Sequence, residues 1–425
     1  MIERNTLNLI INEWKYRQIF TGTPRLALTS IKPNIEEKEI IALTGVRRCG
    51  KTTLFNQIIK EISVPENTLY INFEDERLIN FTVNDFDLLL ESFFEINNPA
   101  GKVYLFLDEI QEIDGWEKWV RRIHDTSDNI KIFITGSSSS LLSSEFATLL
   151  TGRNLSYQIM PFSFCEYLYS KNISVDLNEL SINTRKRAGV KKHFRNYLEN
   201  GGFPSVAENY RRDLLQQYFK DILFRDIVKR FRIRDVKLLE ELSLYLITNT
   251  ANLYSYNNLK NTFKMGIDTV KEYISYFIAA NLLFEHLFFS YSQKEAYERN
   301  RKLYTIDNGL RNAVSFRVSG DTGRLAENLV FIECKRSSRN TFYYQGKNEV
   351  DFVIRKPDQS LTAMNVCYSN TIDPRETAGI DEFCQAHINK VTRKIILTDD
   401  YQTIENDIEY IPLWKWLLLP DTEKF

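Results

Sequence analysis

The sequence predicts an α/β protein: a parallel, doubly wound sheet in its N-terminal part, a helical middle, and a second α/β region at its C-terminal end. Three observations predict it. Gly45, Val46, Arg47, Arg48, Cys49, Gly50, Lys51, Thr52 and Thr53 spell a complete G-x-x-x-x-G-K-[ST] pattern between an apolar run, Ile40–Thr44, and a helical stretch, 54–60. Four further short apolar runs, bounded by polar residues or turns, alternate with helical periodicity, as in sheets built from βαβ units. Beyond residue 300 the pattern changes to a helix followed by a hairpin.

At 425 residues the chain exceeds one ordinary core, and we divide it into residues 1–180, 181–300 and 301–425. A hydrophobic content of 43% with 13% aromatics supports packed cores and speaks against long disorder. The net charge of −1 conceals a basic stretch: residues 185–237 hold 15 Lys or Arg against 6 Asp or Glu. Five cysteines without C-x-x-C spacing suggest neither a disulfide framework nor a zinc site, and a reducing compartment fits. The first residues are charged and lack a signal-peptide core. The most apolar long window, 273–289, is broken by Asn281, Glu285 and His286, so no membrane span is expected. These features predict a cytoplasmic protein without a membrane partner.

Within the first region the glycines let the backbone curl around a phosphate chain, and N–H groups at the helix start point at the anion. Lys51 would reach the β- and γ-phosphates, and the Thr52 hydroxyl would ligate Mg²⁺. The next runs are 69–73, ending in Glu74 and Asp75; 103–107, ending in Asp108 and Glu109; 130–134, ending in Thr135; and 155–159, ending before Pro161. Ligands of such sheets bind at the carboxyl ends of the strands. Asp108 there would hold Mg²⁺, and Glu109 would orient and deprotonate the attacking water. Each acid alone reads equally as an acidic turn; the upstream loop is what gives the pair a phosphate to act on.

Other residues keep two readings. Ser137 is either a polar group between γ-phosphate and water or one of several helix-capping hydroxyls, 137–140. Arg153 either neutralises charge on the transferring phosphoryl group, in its own chain or a neighbour's, or is a surface arginine in a turn. Arg47 and Arg48 add positive charge to the loop or touch neighbours of the sheet. Cys49 is either a thiol with a pKa lowered by its N–H-rich, positive surroundings or a tolerated small residue.

The loop, 73–75, 107–111, 135–139, 151–153 and 160–167 together resemble the prokaryotic AAA-type ATPases that carry a C-terminal domain of unknown function. Residues 197–204 and 221–228 extend the resemblance over nearly the whole chain. It implies a P-loop NTPase of the additional-strand branch, a helical lid, a winged helix and a nuclease-like end, with ATP as the nucleotide.

In the middle, Leu214, Leu215, Tyr218, Phe219, Ile222, Leu223, Ile227 and Phe231 have the spacing of an amphipathic helix. Tyr256–Phe263, a turn at Met265 and Gly266, and 267–283 have helix–turn–helix spacing, and 284–291 with 302–306 supply a wing. Base reading favours Lys, Arg, Asn or Gln at the start of the second helix. Asp268, Thr269, Lys271 and Glu272 form a poor reading face. The basic stretch either contacts nucleic-acid phosphates non-specifically or is a solvated or inter-domain surface.

At the C-terminal end Glu327 lies in a helical stretch, followed by a hairpin carrying Glu349 and Asp351 and a further strand, 361–368. This arrangement resembles the restriction-endonuclease-like fold, which holds Mg²⁺ through a D…[D/E]-x-K constellation. Asp351 matches the first acid and Glu327 the helix acid. The third element reads Asn365, Val366, Cys367, without the charge or the lysine, so nuclease activity is not expected. The expected function is a Mg²⁺-dependent ATP hydrolase whose turnover moves the lid and winged helix against the C-terminal domain. The alternative is a nucleotide-gated module that binds DNA or a protein client with little hydrolysis; oligomeric state is left open.

Overall fold

Ile40–Thr44 (β1) is buried along its whole length, as a strand covered on both faces must be. It lies inside a five-stranded sheet with Thr68–Asn72 (β2), Val103–Asp108 (β3), Ile130–Thr135 (β4) and Asn154–Gln158 (β5), in the order β2-β3-β4-β1-β5. Every pairing is parallel. The structure, a computed structural model, describes residues 2–136, 150–207, 209–315, 322–369 and 371–425. It divides into two compact units, Met1–Met160 and Pro161–Phe425.

Alternation along the strands of the first unit supplies two apolar faces. Leu105, Leu107, Ile132 and Ile134 share a core with Leu7 and Ile10 of the helix Arg4–Tyr16 and with Phe86, Phe93, Trp119 and Val120 of the helices Phe86–Asn97 and Trp116–Thr126. Phe106 and Phe133 alternate with these residues and stack with centroids 4.4 Å apart. Phe55 of the helix Lys51–Ile62 meets Phe106 edge-on at 5.1 Å. The β1 carboxyl end therefore opens directly onto the glycine-rich loop and the helix after it.

In the second unit the amphipathic stretch forms the helix Arg212–Asp221, which continues as a π-helix, Ile222–Lys229. It buries Leu215, Tyr218, Phe219, Ile222, Leu223 and Ile227. The helices Tyr256–Phe263 and Ile267–Ala279 lie between the first two strands of a three-stranded antiparallel sheet ordered β6-β8-β7, made of Leu253–Tyr254 (β6), Leu283–His286 (β7) and Arg301–Thr305 (β8). A mixed six-stranded sheet, β13-β14-β12-β11-β10-β9, follows. Its strands are Asn340–Gln345 (β9), Glu349–Arg355 (β10), Leu361–Cys367 (β11), Val391–Thr398 (β12), Thr403–Glu405 (β13) and Ile408–Pro412 (β14). Gly202 explains part of the 197–204 signature: a Cβ there would stand 2.3 Å from the Phe162 carbonyl oxygen. No helix among the described residues is long and apolar enough to cross a membrane.

Candidate active site

The loop holds its shape through backbone that only glycine adopts easily. Gly45 has φ +147°, and a Cβ on it would lie 2.1 Å from the Ile159 carbonyl oxygen, so the loop leaves β1 hard against the end of β5. Gly50, at φ +102°, turns the chain into the helix that begins at Lys51. Arg25, buried, donates to the carbonyls of Cys49 and Met160, both at 2.7 Å, and braces the loop from behind. Cys49 is fully buried. Burial raises its thiol pKa, and the charges of Lys51 and Arg25 only partly offset that, which favours the reading of Cys49 as a tolerated small residue over that of a thiol with a lowered pKa.

Four residues named from the sequence meet at the carboxyl end of β3. The Thr52 hydroxyl donates to Asp108 Oδ2 at 2.8 Å. Lys51 Nζ donates to the Gly45 carbonyl at 3.2 Å and stands 3.6 Å from Glu109 Oε1. Asp108 is completely buried; burial first, then the Glu109 charge, push its carboxyl above the ordinary range. Burial acts on Glu109 too, but Lys51, Gln111 and Arg47 outweigh it and hold that carboxyl below the ordinary range. Glu109 sits in left-handed backbone at φ 53°. Its N–H donates to Thr135 Oγ1 at 2.9 Å, and Gln111 Nε2 donates to its Oε2 at 2.6 Å.

Three contributors went unread in the sequence. Tyr70 of β2 donates its hydroxyl to Asp108 Oδ2, and Thr135 of β4 donates to Asp108 Oδ1. Gln111 is the third, pinning Glu109. Each lies in or just past an apolar run ending at this edge, and Gln111 and Thr135 also fall within the family-like stretches 107–111 and 135–139. The Tyr70 ring packs on Trp14 at 4.1 Å, which connects the N-terminal helix to Asp108.

The remaining candidates are placed elsewhere. Ser137 lies outside the described residues. Arg153 immediately precedes β5, where its carbonyl accepts from the Ile40 N–H, so it lies at the amino ends of the strands, opposite the loop. Its guanidinium pairs with Asp125 at 2.7 Å, and the structure does not bring it to the phosphate loop of its own chain. Arg47 pairs with Glu74 at 2.8 Å, Val46 is buried, Arg48 is at φ 69°, and Thr53 packs beside the Phe20–Gly22 turn.

In the second unit, Lys186, Lys191 and Arg211 of the basic stretch are engaged by Glu179, Asp400 and Asp213. Asp351 and Glu327 come together, and a lysine joins them from a strand not singled out for it. Lys302 Nζ of β8 lies 2.6 Å from Glu327 Oε1 and 3.3 Å from Asp351 Oδ1, and it also pairs with Glu349. Asn365 accepts from the Asp351 N–H at 2.9 Å and donates to Glu376 Oε2 at 2.9 Å, a bridge that needs an amide and not an acid. Cys367 turns its sulfur to the Thr371 carbonyl at 3.6 Å. Among the described residues no group of three or more His, Cys, Asp or Glu is arranged to hold a metal ion.

Residues 37–168 match the AAA domain family, 191–321 a domain of unknown function (DUF8612), and 322–416 another (DUF4143). An uncharacterized protein of Methanocaldococcus jannaschii is 38% identical over 89% of this chain and 88% of its own. An uncharacterized protein of Haemophilus influenzae is 32% identical, over 89% of this chain and 94% of its own. Among solved structures, the Aeropyrum pernix ORC1 protein in complex with DNA has 13% identity and a TM-score of 0.31, covering 73% of this chain and 96% of that one.

Proposed function

The chain belongs to the same family as the Methanocaldococcus jannaschii and Haemophilus influenzae proteins, and for its AAA domain we propose a Mg²⁺-dependent ATPase whose turnover rearranges the C-terminal unit. The observation that carries this reading is the meeting of Lys51, Thr52, Asp108 and Glu109 at one strand end. Octahedral Mg²⁺ with 2.0–2.1 Å bonds sets neighbouring ligand oxygens about 2.9 Å apart. Thr52 Oγ1 and Asp108 Oδ2, 2.8 Å apart, fit that spacing. A single buried carboxylate also fits an ion that takes its other ligands from phosphate and water.

The chain's own groups divide the work. Loop N–H groups and Lys51 bind the phosphates, and Thr52 and Asp108 hold the metal, which when bound draws charge from the phosphate oxygens. Lys51 contacts the Gly45 carbonyl and Glu109. Moving to the phosphates removes its charge from Glu109 and raises that carboxylate's basicity. Glu109, ionised at neutral pH and pinned by Gln111, then orients water and accepts its proton. Arg153, engaged by Asp125 at the opposite end of the strands, is best supported as a surface arginine in a turn.

For the second unit, the succession of the helix Val236–Thr248, β6, two helices, β7 and β8 supports a winged helix. The helix Thr322–Arg336 beside the acidic strand β10 supports a restriction-endonuclease-like fold without cleavage. DNA or a protein client is the proposed partner, in the cytoplasm. Steady-state phosphate release by wild type and Glu109→Gln, with and without double-stranded DNA, tests the reading. We expect turnover in wild type and a loss of roughly 100-fold or more in the variant, with ATP binding retained. Tight ATP binding without turnover in either protein would replace the ATPase by a nucleotide-gated module. Stimulation by DNA would identify the partner.

A further inference from the structure

Lys302 is the most enclosed lysine outside the nucleotide site that meets several acids at once. Its side chain is 4% exposed, and three carboxylates lie within ion-pair reach, those of Glu327, Glu349 and Asp351. The ammonium donates hydrogen bonds to Glu327 and Asp351, while the partly exposed Glu349 meets it as an ion pair. The acids arrive from different elements: Glu327 from the helix Thr322–Arg336, and Glu349 and Asp351 from one face of β10, two residues apart. Lys302 shares its face of β8 with Tyr304, whose hydroxyl donates to Glu327 Oε1 at 2.7 Å. The outer side of Asp351 is occupied as well, because its Oδ2 accepts from the Val366 N–H at 3.0 Å. Burial works to neutralise Lys302, yet the surrounding carboxylates hold it charged.

We infer that Lys302 is the resident cation of this acid cluster: its ammonium occupies the point on which Glu327, Glu349 and Asp351 converge, and so keeps divalent metal out. The cluster is then a closed ionic joint between the three-stranded and six-stranded sheets. The lysine absent from the 365–367 element is replaced in charge by one from another strand, which blocks metal entry. As they stand the acids form no metal site, but removing the ammonium leaves the carboxylates of Glu327, Glu349 and Asp351 without their cation and free to re-aim on a hard divalent ion such as Mn²⁺ or Mg²⁺. The inference is independent of the ATPase reading.

The experiment is Mn²⁺ titration of the full chain without nucleotide, followed by electron paramagnetic resonance, in wild type, Asp351→Asn, Lys302→Met and Lys302→Met/Asp351→Asn. Wild type and Asp351→Asn should take up Mn²⁺ equally weakly. Lys302→Met should bind one ion per chain at least tenfold more tightly, and the double variant should lose that gain. Uptake by wild type that Asp351→Asn removes overturns the inference. So does a Lys302→Met protein with unchanged circular dichroism that gains no Mn²⁺ site. Should Lys302→Met fail to fold, the comparison of wild type with Asp351→Asn decides alone.

Discussion

Asp108 shows what a single residue's surroundings decide. It is buried beside a second acid, both of which push its carboxyl up, and hydroxyls from Thr52, Tyr70 and Thr135 oppose that shift. Tyr70→Phe keeps the ring against Trp14 and removes one of these donors. A hydrogen bond to a charged group is worth about 1.5–3 kcal/mol, so chemical denaturation should show a loss of that order. The Mg²⁺ concentration for half-maximal turnover should rise several-fold; an unchanged Mg²⁺ curve would remove Tyr70 from the metal site. The loop, Asp108 and Glu109 were legible because phosphate and metal chemistry fixes their residue types and their places at strand ends. Tyr70, Thr135 and Lys302 were not, because their roles depend on which strands become neighbours, and β2, β4 and β8 reach their partners across long stretches of chain. Lys302 looked like one polar residue of an alternating strand, and nothing local showed that its face turns toward β10.

Among elements, the loop is made by the approach of β5. Gly45→Ala would set a methyl against the Ile159 carbonyl and demand φ +147° from an alanine. We expect ATP affinity to fall at least tenfold in a calorimetric titration, with loss of thermal stability. The ionic joint in the second unit makes a pH prediction. Burial first, then Asp351, raise Glu327 to about 7 from the usual 4.5, and the same causes raise Glu376 to about 7. The folded protein therefore holds more protons than the unfolded chain between about pH 4.5 and 7, and this contribution to stability declines as pH rises through that window. Glu327→Gln cannot ionise, so its denaturation midpoint should fall less steeply between pH 5 and 7 than the wild-type midpoint; parallel slopes would contradict the assignment. The apolar runs announced the inner strands β1, β3 and β4 well, since a strand covered on both faces has little room for polar residues, whereas the edge strand β5 is half-exposed and carries Asn154, Ser156 and Gln158. The helix Arg4–Tyr16 went unread, although Leu7, Ile10, Ile11 and Trp14 carry a helical spacing, and so did its attachment to Tyr70.

For the whole molecule, the division after Met160 predicts two unfolding transitions in calorimetry. ATP with Mg²⁺ at 100 times its dissociation constant stabilises the state that binds it by about 2.7 kcal/mol. For a domain of this size that is about 5–10 °C, and it should appear in the transition of the first unit alone. A single transition, or equal shifts in two, would contradict independent units. The strand order carries a further consequence for synthesis. β1 emerges from the ribosome early, yet its neighbours are the last two strands of its sheet, β4 and β5. At 5–20 residues per second, roughly 5–20 s separate β1 from β5. Until β4 emerges the nascent chain exposes Ile40, Ile41, Ala42 and Leu43 with no partner strand, which makes this segment the natural target for a chaperone at the exit tunnel.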